Sequence, residues 1–299
     1  MAQLPPVADA HFHLWDIERH DYPWLAPAEP EGPFGKTADI RRTYLLDEYL
    51  ADSANQEVRR AVHVEAGWNP SDPLGEMRWI QGIADARGFP HAHVAHVDLA
   101  AGNAAQLIEE HSRFALFRGV RDRLQSGDFT ASSAAHTRID DPQWLLGMQV
   151  LDDLGLVFDL QAPASLAKKA ASMAGRFPRV RFVMTHAGYP PAPNGPDFAG
   201  WLDGISILSE VPNISIMLSG LALGTKKWIP SHGHTIAKAL LHRFGSSRVL
   251  VASNFPVDRL FATFDDLFGC YRSWLRGLSE VDQGKVLHDN ACRIYGLEP

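Results

Sequence analysis

His11 and His13, in the run Asp9-Ala10-His11-Phe12-His13, stand two residues apart at the end of a short apolar stretch. Side chains of an extended segment alternate between faces, so both imidazoles point the same way. Two converging imidazoles are half the ligand set of a first-row metal ion, or a pair of donors and proton carriers around a polar substrate. With 14 histidines in the chain, a chance pair is the competing reading of the spacing alone. Another apolar run, beginning Arg181-Phe182-Val183-Met184-Thr185, likewise ends in a histidine, His186, followed by Ala187 and the turn residue Gly188.

These residues need elements to position them. Eight runs rich in Val, Ile, Leu or Phe read as strands: Val7 to His13, Ala61 to Ala66, Ala92 to Val97, Leu116 to Val120, Leu156 to Gln161, Val180 to His186, Asn213 to Leu218 and Arg248 to Ser253. Helical periodicity fills the intervals at Leu74 to Arg87, Asn103 to His111, Asp141 to Leu154, Ala164 to Arg176, Phe198 to Glu210 and His234 to Phe244. Gly88, Gly155 and Gly245 stand where helices should stop, and Pro178 and Pro212 follow helix ends. The alternation predicts an α/β fold, a (β/α)8 TIM barrel with residues 1–299 as a single domain. Two segments interrupt it. Asp16 to Thr43, holding Tyr22, Pro23, Trp24 and Phe34, suits a lid or pocket wall, and Gly188 to Pro196 borders the same mouth.

Barrels of this kind build their sites at the C-terminal strand ends. His11, His13, Glu65, Asp98, Arg121, Gln161, His186 and Asn254 all fall there. His91 and His93 open the third strand, at the stabilising face. Glu65 follows His63 at strand spacing, which predicts both inward, with Glu65 nearer the mouth. Arg121 is then its ion-pair partner or the holder of a substrate carboxylate. Trp15, Trp68 and Trp228 are candidates for an apolar wall, as against ordinary core packing. His232 and His234 lie after the seventh strand, with Ser231 able to cap the next helix. Asn254 ends a buried strand and needs a specific partner, and Asp258 offers a carboxylate four residues on.

Composition narrows the partners. The net charge of -7 and the lack of any Lys/Arg-rich run argue against nucleic acid or an anionic membrane surface. A small-molecule substrate held by local arginines fits. No run approaches the roughly 20 apolar residues of a membrane span, and Met1 to Val7 lacks a basic segment leading into an apolar one, so a cytoplasmic protein is expected. Cys270 and Cys292 are the only cysteines and suit a reducing compartment. Oligomeric state is not legible.

The segments D-A-H-F-H-L-W-D (Asp9 to Asp16), H-V-E-A (His63 to Ala66), F-R-G-V-R (Phe117 to Arg121), F-D-L-Q (Phe158 to Gln161), T-H-A-G (Thr185 to Gly188), L-S-G-L (Leu218 to Leu221), S-N-F-P-V-D (Ser253 to Asp258) and D-N-A-C-R-I-Y-G-L (Asp289 to Leu297) together resemble the amidohydrolase superfamily. Within it, the chain is most similar to the amidohydrolase-related group of sugar-acid lactonases and pyrone-dicarboxylate lactonase. The resemblance implies hydrolysis of a C–O or C–N bond by water activated at the barrel mouth. It further implies a divalent metal, zinc by ligand type, on His11, His13 and His186, although some lactonases resembling this chain work without one. Strand five offers Asp159 and Gln161 where a ligand histidine would stand. The strand-eight aspartate of the family, its general base, corresponds to Asn254, and an amide cannot take up a proton at neutral pH. Asp258 or Glu65 is left to act as base, or a metal lowers the pKa of the water.

The leading expectation is a lactonase acting on a lactone of a small sugar acid or related carboxylate. His11, His13 and His186 would bind metal or polarise the carbonyl, with Asn254, Asp258 and Glu65 completing the catalytic set. Arg121, Trp15, Gln161, Trp68 and His232 would contact substrate. The alternatives are a metal-dependent decarboxylase of an aromatic acid, whose relatives usually keep the strand-eight aspartate, and a catalytically inactive barrel that binds a small molecule.

Overall fold

The computed structural model describes residues 4–26, 37–124 and 137–298. Its strands are β1 (Val7–Phe12), β2 (Val58–Val64), β3 (Ala92–His96), β4 (Phe117–Arg123), β5 (Val157–Gln161), β6 (Arg181–Met184), β7 (Ile214–Leu218) and β8 (Val249–Val251). Each pairs in parallel with the next in sequence, giving one eight-stranded sheet in the order β1 to β8. The sheet closes at the mouth: Asn254 N donates to His11 O at 2.8 Å and His13 N to Phe255 O at 2.7 Å. Asp9 strengthens this seam, its Oδ1 accepting from Ser253 N at 2.8 Å and its Oδ2 from Tyr49 Oη at 2.8 Å.

The helices are α1 (Leu46–Asp52), α2 (Gly75–Arg87), α3 (Ala104–His111), α4 (Pro142–Leu154), α5 (Ala167–Arg176), α6 (Phe198–Ser209), α7 (Pro230–Phe244), α8 (Phe264–Leu275), α9 (Glu280–Gly284) and α10 (Asn290–Tyr295). Local chemistry sets their ends. Asp141 caps α4 by accepting from Gln143 N, and Gly155 ends it with φ 62°. Thr263 and Asp266 form a reciprocal capping box at α8. α7 starts at Pro230, with no side-chain cap. Ser231, His232 and His234 therefore lie inside its first turns, and the expected Ser231 cap is not formed. Proline fixes φ for the first helical position and has no N–H to satisfy there, so the cap is dispensable.

The barrel interior holds Ala8, Ala10, Val62, Val64, Val94, Val157, Val183, Met217, Leu250 and Ala252, and α10 plugs it from below with Ala291, Ile294 and Tyr295. Tyr295 Oη donates to Asp159 at 2.8 Å. Asp159 thus serves the plug. Its other oxygen is buried with no partner among the described residues, and burial raises the carboxyl to about 7.

The described part of the segment after β1 is pinned at its base. Trp15 and Tyr44 form an antiparallel bridge, with N to O distances of 3.0 and 2.8 Å. Trp24 crosses to the end of β2, where Nε1 donates to Ala66 O at 2.6 Å. Its ring lies over Gly67, at φ 76°, so close that a Cβ there would come within 2.6 Å of it. Phe34 lies outside the described residues. No helix among them is long and apolar enough to cross a membrane.

Candidate active site

β1 and the turns after β6 and β8 bring His11, His13, His186 and Asn254 to one end of the barrel. β1 is irregular between Asp9 and Phe12, where its register against β2 slips. The slip leaves Phe12 packed outward on Tyr49 while His11 and His13 meet, Nε2 to Nε2, at 3.1 Å. The His186 ring stands 4.8 Å from that of His11. β6 ends two residues before His186, because His186 (φ 52°) and Ala187 (φ 51°) take left-handed backbone conformations. Asn254 (φ 54°) and Tyr189 (φ 57°) do likewise. Such conformations in non-glycine residues carry a backbone cost and concentrate at functional sites.

All three imidazoles are neutral near pH 7. Burial, reinforced by neighbouring positive charge, pushes His13 down to about 4 and holds His11 and His186 well below the usual range. His13 Nδ1 lies 2.8 Å from Val64 O and so carries the proton, leaving Nε2 as an acceptor. His186 Nδ1 meets Ser219 Oγ at 3.1 Å. Gly220 follows at φ 59°, and a Cβ there would come within 2.7 Å of the His186 ring.

Arg121, from β4, points into the same space. Its Nε donates to Glu65 Oε1 at 2.7 Å and its Nη1 lies 3.5 Å from His11 Nε2. The pair is buried, with side chains only 8% and 5% exposed. Burial opposes the Glu65 charge, but the Arg121 guanidinium outweighs it and holds the carboxyl well below the usual range. Asp258 is the opposite case. Burial raises it to about 7, although Asn254 Nδ2 donates to its Oδ1 at 2.8 Å and Gly220 N to its Oδ2 at 3.2 Å. The Asn254 side chain also acts on His13, favouring its protonated form slightly against the larger effect of burial.

The other expected residues divide between the mouth and the surrounding packing. Gln161 reaches the mouth and donates to Tyr189 Oη at 3.0 Å. Trp15 is fully buried, stacked on His13 at 6.3 Å with Nε1 donating to Arg42 O at 2.7 Å, so it backs the imidazole instead of lining a wall. Trp68 packs among His20, Tyr22 and Trp79, and Trp228 on Trp274. Asp98 pairs with Arg138. His63 turns away from the interior that Val62 and Val64 occupy, packing edge-on against Phe12 and accepting from Leu14 N at 3.0 Å. β2 stops at Val64, so strand alternation does not carry from His63 to Glu65.

Three residues were not anticipated. Tyr189 sits 5.6 Å from His186, and Ser219 holds that ring. Arg123 extends β4 three residues past its expected end, and its positive charge acts on both Glu65 and Tyr189. The alternating Arg121-Asp122-Arg123 was its one signal.

The nitrogen pair of His11 and His13 fits two positions of a zinc ion. Among the described residues, no three His, Cys, Asp or Glu side chains are arranged to hold such an ion, and Arg121 sets a fixed positive charge beside one donor.

Comparison with known proteins agrees with this architecture. The chain is 35% identical over 296 residues to the uncharacterized protein y4mH of Sinorhizobium fredii, covering 97% of this chain and 98% of that one. It is 28% identical over 303 residues to an L-fucono-1,5-lactonase of Burkholderia ambifaria, covering 97% and 95%. A crystal structure of an amidohydrolase from Burkholderia multivorans with bound zinc superposes with a TM-score of 0.82 at 24% identity, covering 98% of this chain and 100% of that one. The amidohydrolase family model matches residues 8–297, and the chain belongs to that family.

Proposed function

We propose that the protein is a lactonase that opens the lactone of a small sugar acid or related carboxylate. The observation that carries this reading is the convergence of Arg121 and three neutral imidazoles beside a carboxyl, Asp258, raised to about 7. Its support from relatives is the name L-fucono-1,5-lactonase.

A lactone carbonyl needs an electrophile, its attacking water a base, and its leaving alkoxide a proton. Arg121 supplies fixed positive charge for the developing oxyanion. Glu65 keeps the guanidinium in place and, being held ionised, is a poor base. Asp258 titrates near neutrality and uses only two of its roughly four lone-pair positions on Asn254 and Gly220. It takes the water's proton. The neutral imidazoles orient the water, and protonated Asp258 then returns its proton to the leaving alkoxide. Tyr189 and Gln161 contact the substrate's polar groups, Gln161 Oε1 having no partner in the described structure. A divalent ion on His11 and His13 would polarise the same carbonyl.

Proton release on a panel of sugar 1,5- and 1,4-lactones, with metal content measured before and after chelation, tests this. Turnover that survives chelation is expected, with Arg121 as the electrophile. Stoichiometric zinc with turnover lost on its removal would transfer that role to the ion. Carbon dioxide released from aromatic acids, without lactone opening, would replace the reading by a decarboxylase.

A further inference from the structure

Outside the barrel, β3, α2, α3 and residues 68–73 surround a cavity of about 290 Å³ whose lining includes Trp68, Glu76, Met77, His93, Leu107 and His111, and none of the mouth imidazoles. One backbone amide fixes the hydrogen-bond order at its floor. Leu14 N donates to His63 Nε2 at 3.0 Å, so a neutral His63 carries its proton on Nδ1. That atom lies 2.9 Å from His93 Nδ1, which must accept, and a neutral His93 then carries its proton on Nε2. Burial keeps both rings neutral, pushing His93 down to about 3. His93 is completely buried, and its Nε2 has no partner in the described structure. A donor of known direction thus faces the cavity and calls for an acceptor there.

The lining also defines the acceptor's charge. Asp72 pairs with Arg78 at 2.6 Å, Asp98 pairs with Arg138, and Glu76 accepts from Ala66 N at 2.8 Å. Both aspartates are neutralised by their arginines and burial pushes the Glu76 carboxyl well above the usual range, so the described lining suits an uncharged ligand. Trp68 adds a flat apolar surface. It lies over the start of α2 because residue 75 is glycine, where a Cβ would come within 2.5 Å of the indole Nε1. An aromatic face combined with neutral donors and carboxylate acceptors recognises hydroxyl-bearing rings.

We propose that this cavity binds a small uncharged polyhydroxylated ligand of pyranoside size, one oxygen accepting from His93 Nε2 and a C–H face resting on Trp68. The site is separate from the barrel mouth and does not depend on the lactonase reading. Titrating the full-length, ¹⁵N-labelled protein with neutral methyl pyranosides, which have no lactone to open, tests it through the His93 Nε2–H and Trp68 indole N–H signals. Saturable shifts of both are expected, with affinity about tenfold weaker in His93→Leu, as the loss of one hydrogen bond implies. Trp68→Ala should weaken binding comparably and serves if His93→Leu does not fold. No saturable shift would mean that the cavity holds only water and would overturn the proposal. So would binding that survives both substitutions, or tighter binding of sugar-acid anions than of neutral pyranosides.

Discussion

Arg121 has two demands on it. Its Nε and Nη2 are committed to Glu65, while Nη1 faces His11 and the space where a carbonyl oxygen would develop charge. Lysine has one compact ammonium in place of the planar fork and cannot meet both demands. Arg121→Lys should therefore lower kcat for lactone opening by about 10²- to 10³-fold, the usual effect of removing one oxyanion donor. Circular dichroism should still report a folded barrel. A variant with near-normal kcat and a raised KM would show that Arg121 holds a substrate carboxylate. At this scale the sequence was informative where a residue ends a strand: His11, His13, Arg121 and Gln161 all reach the mouth. It was misleading where regular alternation lapses. His63 and Glu65 read as one face, yet β2 ends between them. Trp15 and Trp68 follow strands as wall residues would, but which neighbour an indole packs on is decided by loops that carry no period.

The elements were legible because strand and helix periods differ, and the eight expected strands match those found within three residues at either end. What escaped was the short helix α1 and the C-terminal run α8 to α10, although the capping box at Thr263 and Asp266 was a readable start signal for α8. The turn after β6 was also invisible to periodicity. His186 is held there by its left-handed backbone, by Ser219, and by the space that Gly220 leaves. Gly220→Ala adds a methyl group against the His186 ring and strains a φ of 59°. It should lower kcat more than a tenfold loss of folded protein would explain, with melting reduced by about 1–3 kcal/mol. A Gly220→Ala enzyme with unchanged kcat would show that the exact seat of His186 is immaterial to the reaction.

Across the molecule, several buried carboxyls bind protons more tightly in the folded state, among them Asp9, raised to about 6, and Asp159 and Asp258, raised to about 7, all chiefly by burial. A raised carboxyl contributes its full stability below the unfolded value near 4 and loses it as pH rises through the folded value. Stability should therefore decline between about pH 4 and 7. Glu65, held low by Arg121, works in the opposite sense only at much lower pH. Asp159→Asn, which mimics the protonated plug residue, should flatten the decline, raising stability at pH 8 by on the order of 4 kcal/mol and changing little at pH 4. Denaturant midpoints at the two pH values check this. An equal effect at both would mean that Asp159 does not titrate in the folded protein.

In the proposed reaction Asp258, and not the residue at the family's strand-eight position, receives the proton of the attacking water. The most direct measurement is the pH dependence of kcat/KM on the best lactone for wild type and Asp258→Asn. The wild-type rate should fall tenfold per pH unit below an apparent pKa near 7, with the neutral imidazoles adding no limb above it. Asp258→Asn should lose that limb and at least about 10²-fold in rate. An Asp258→Asn enzyme that keeps both the rate and the limb near pH 7 would contradict the claim.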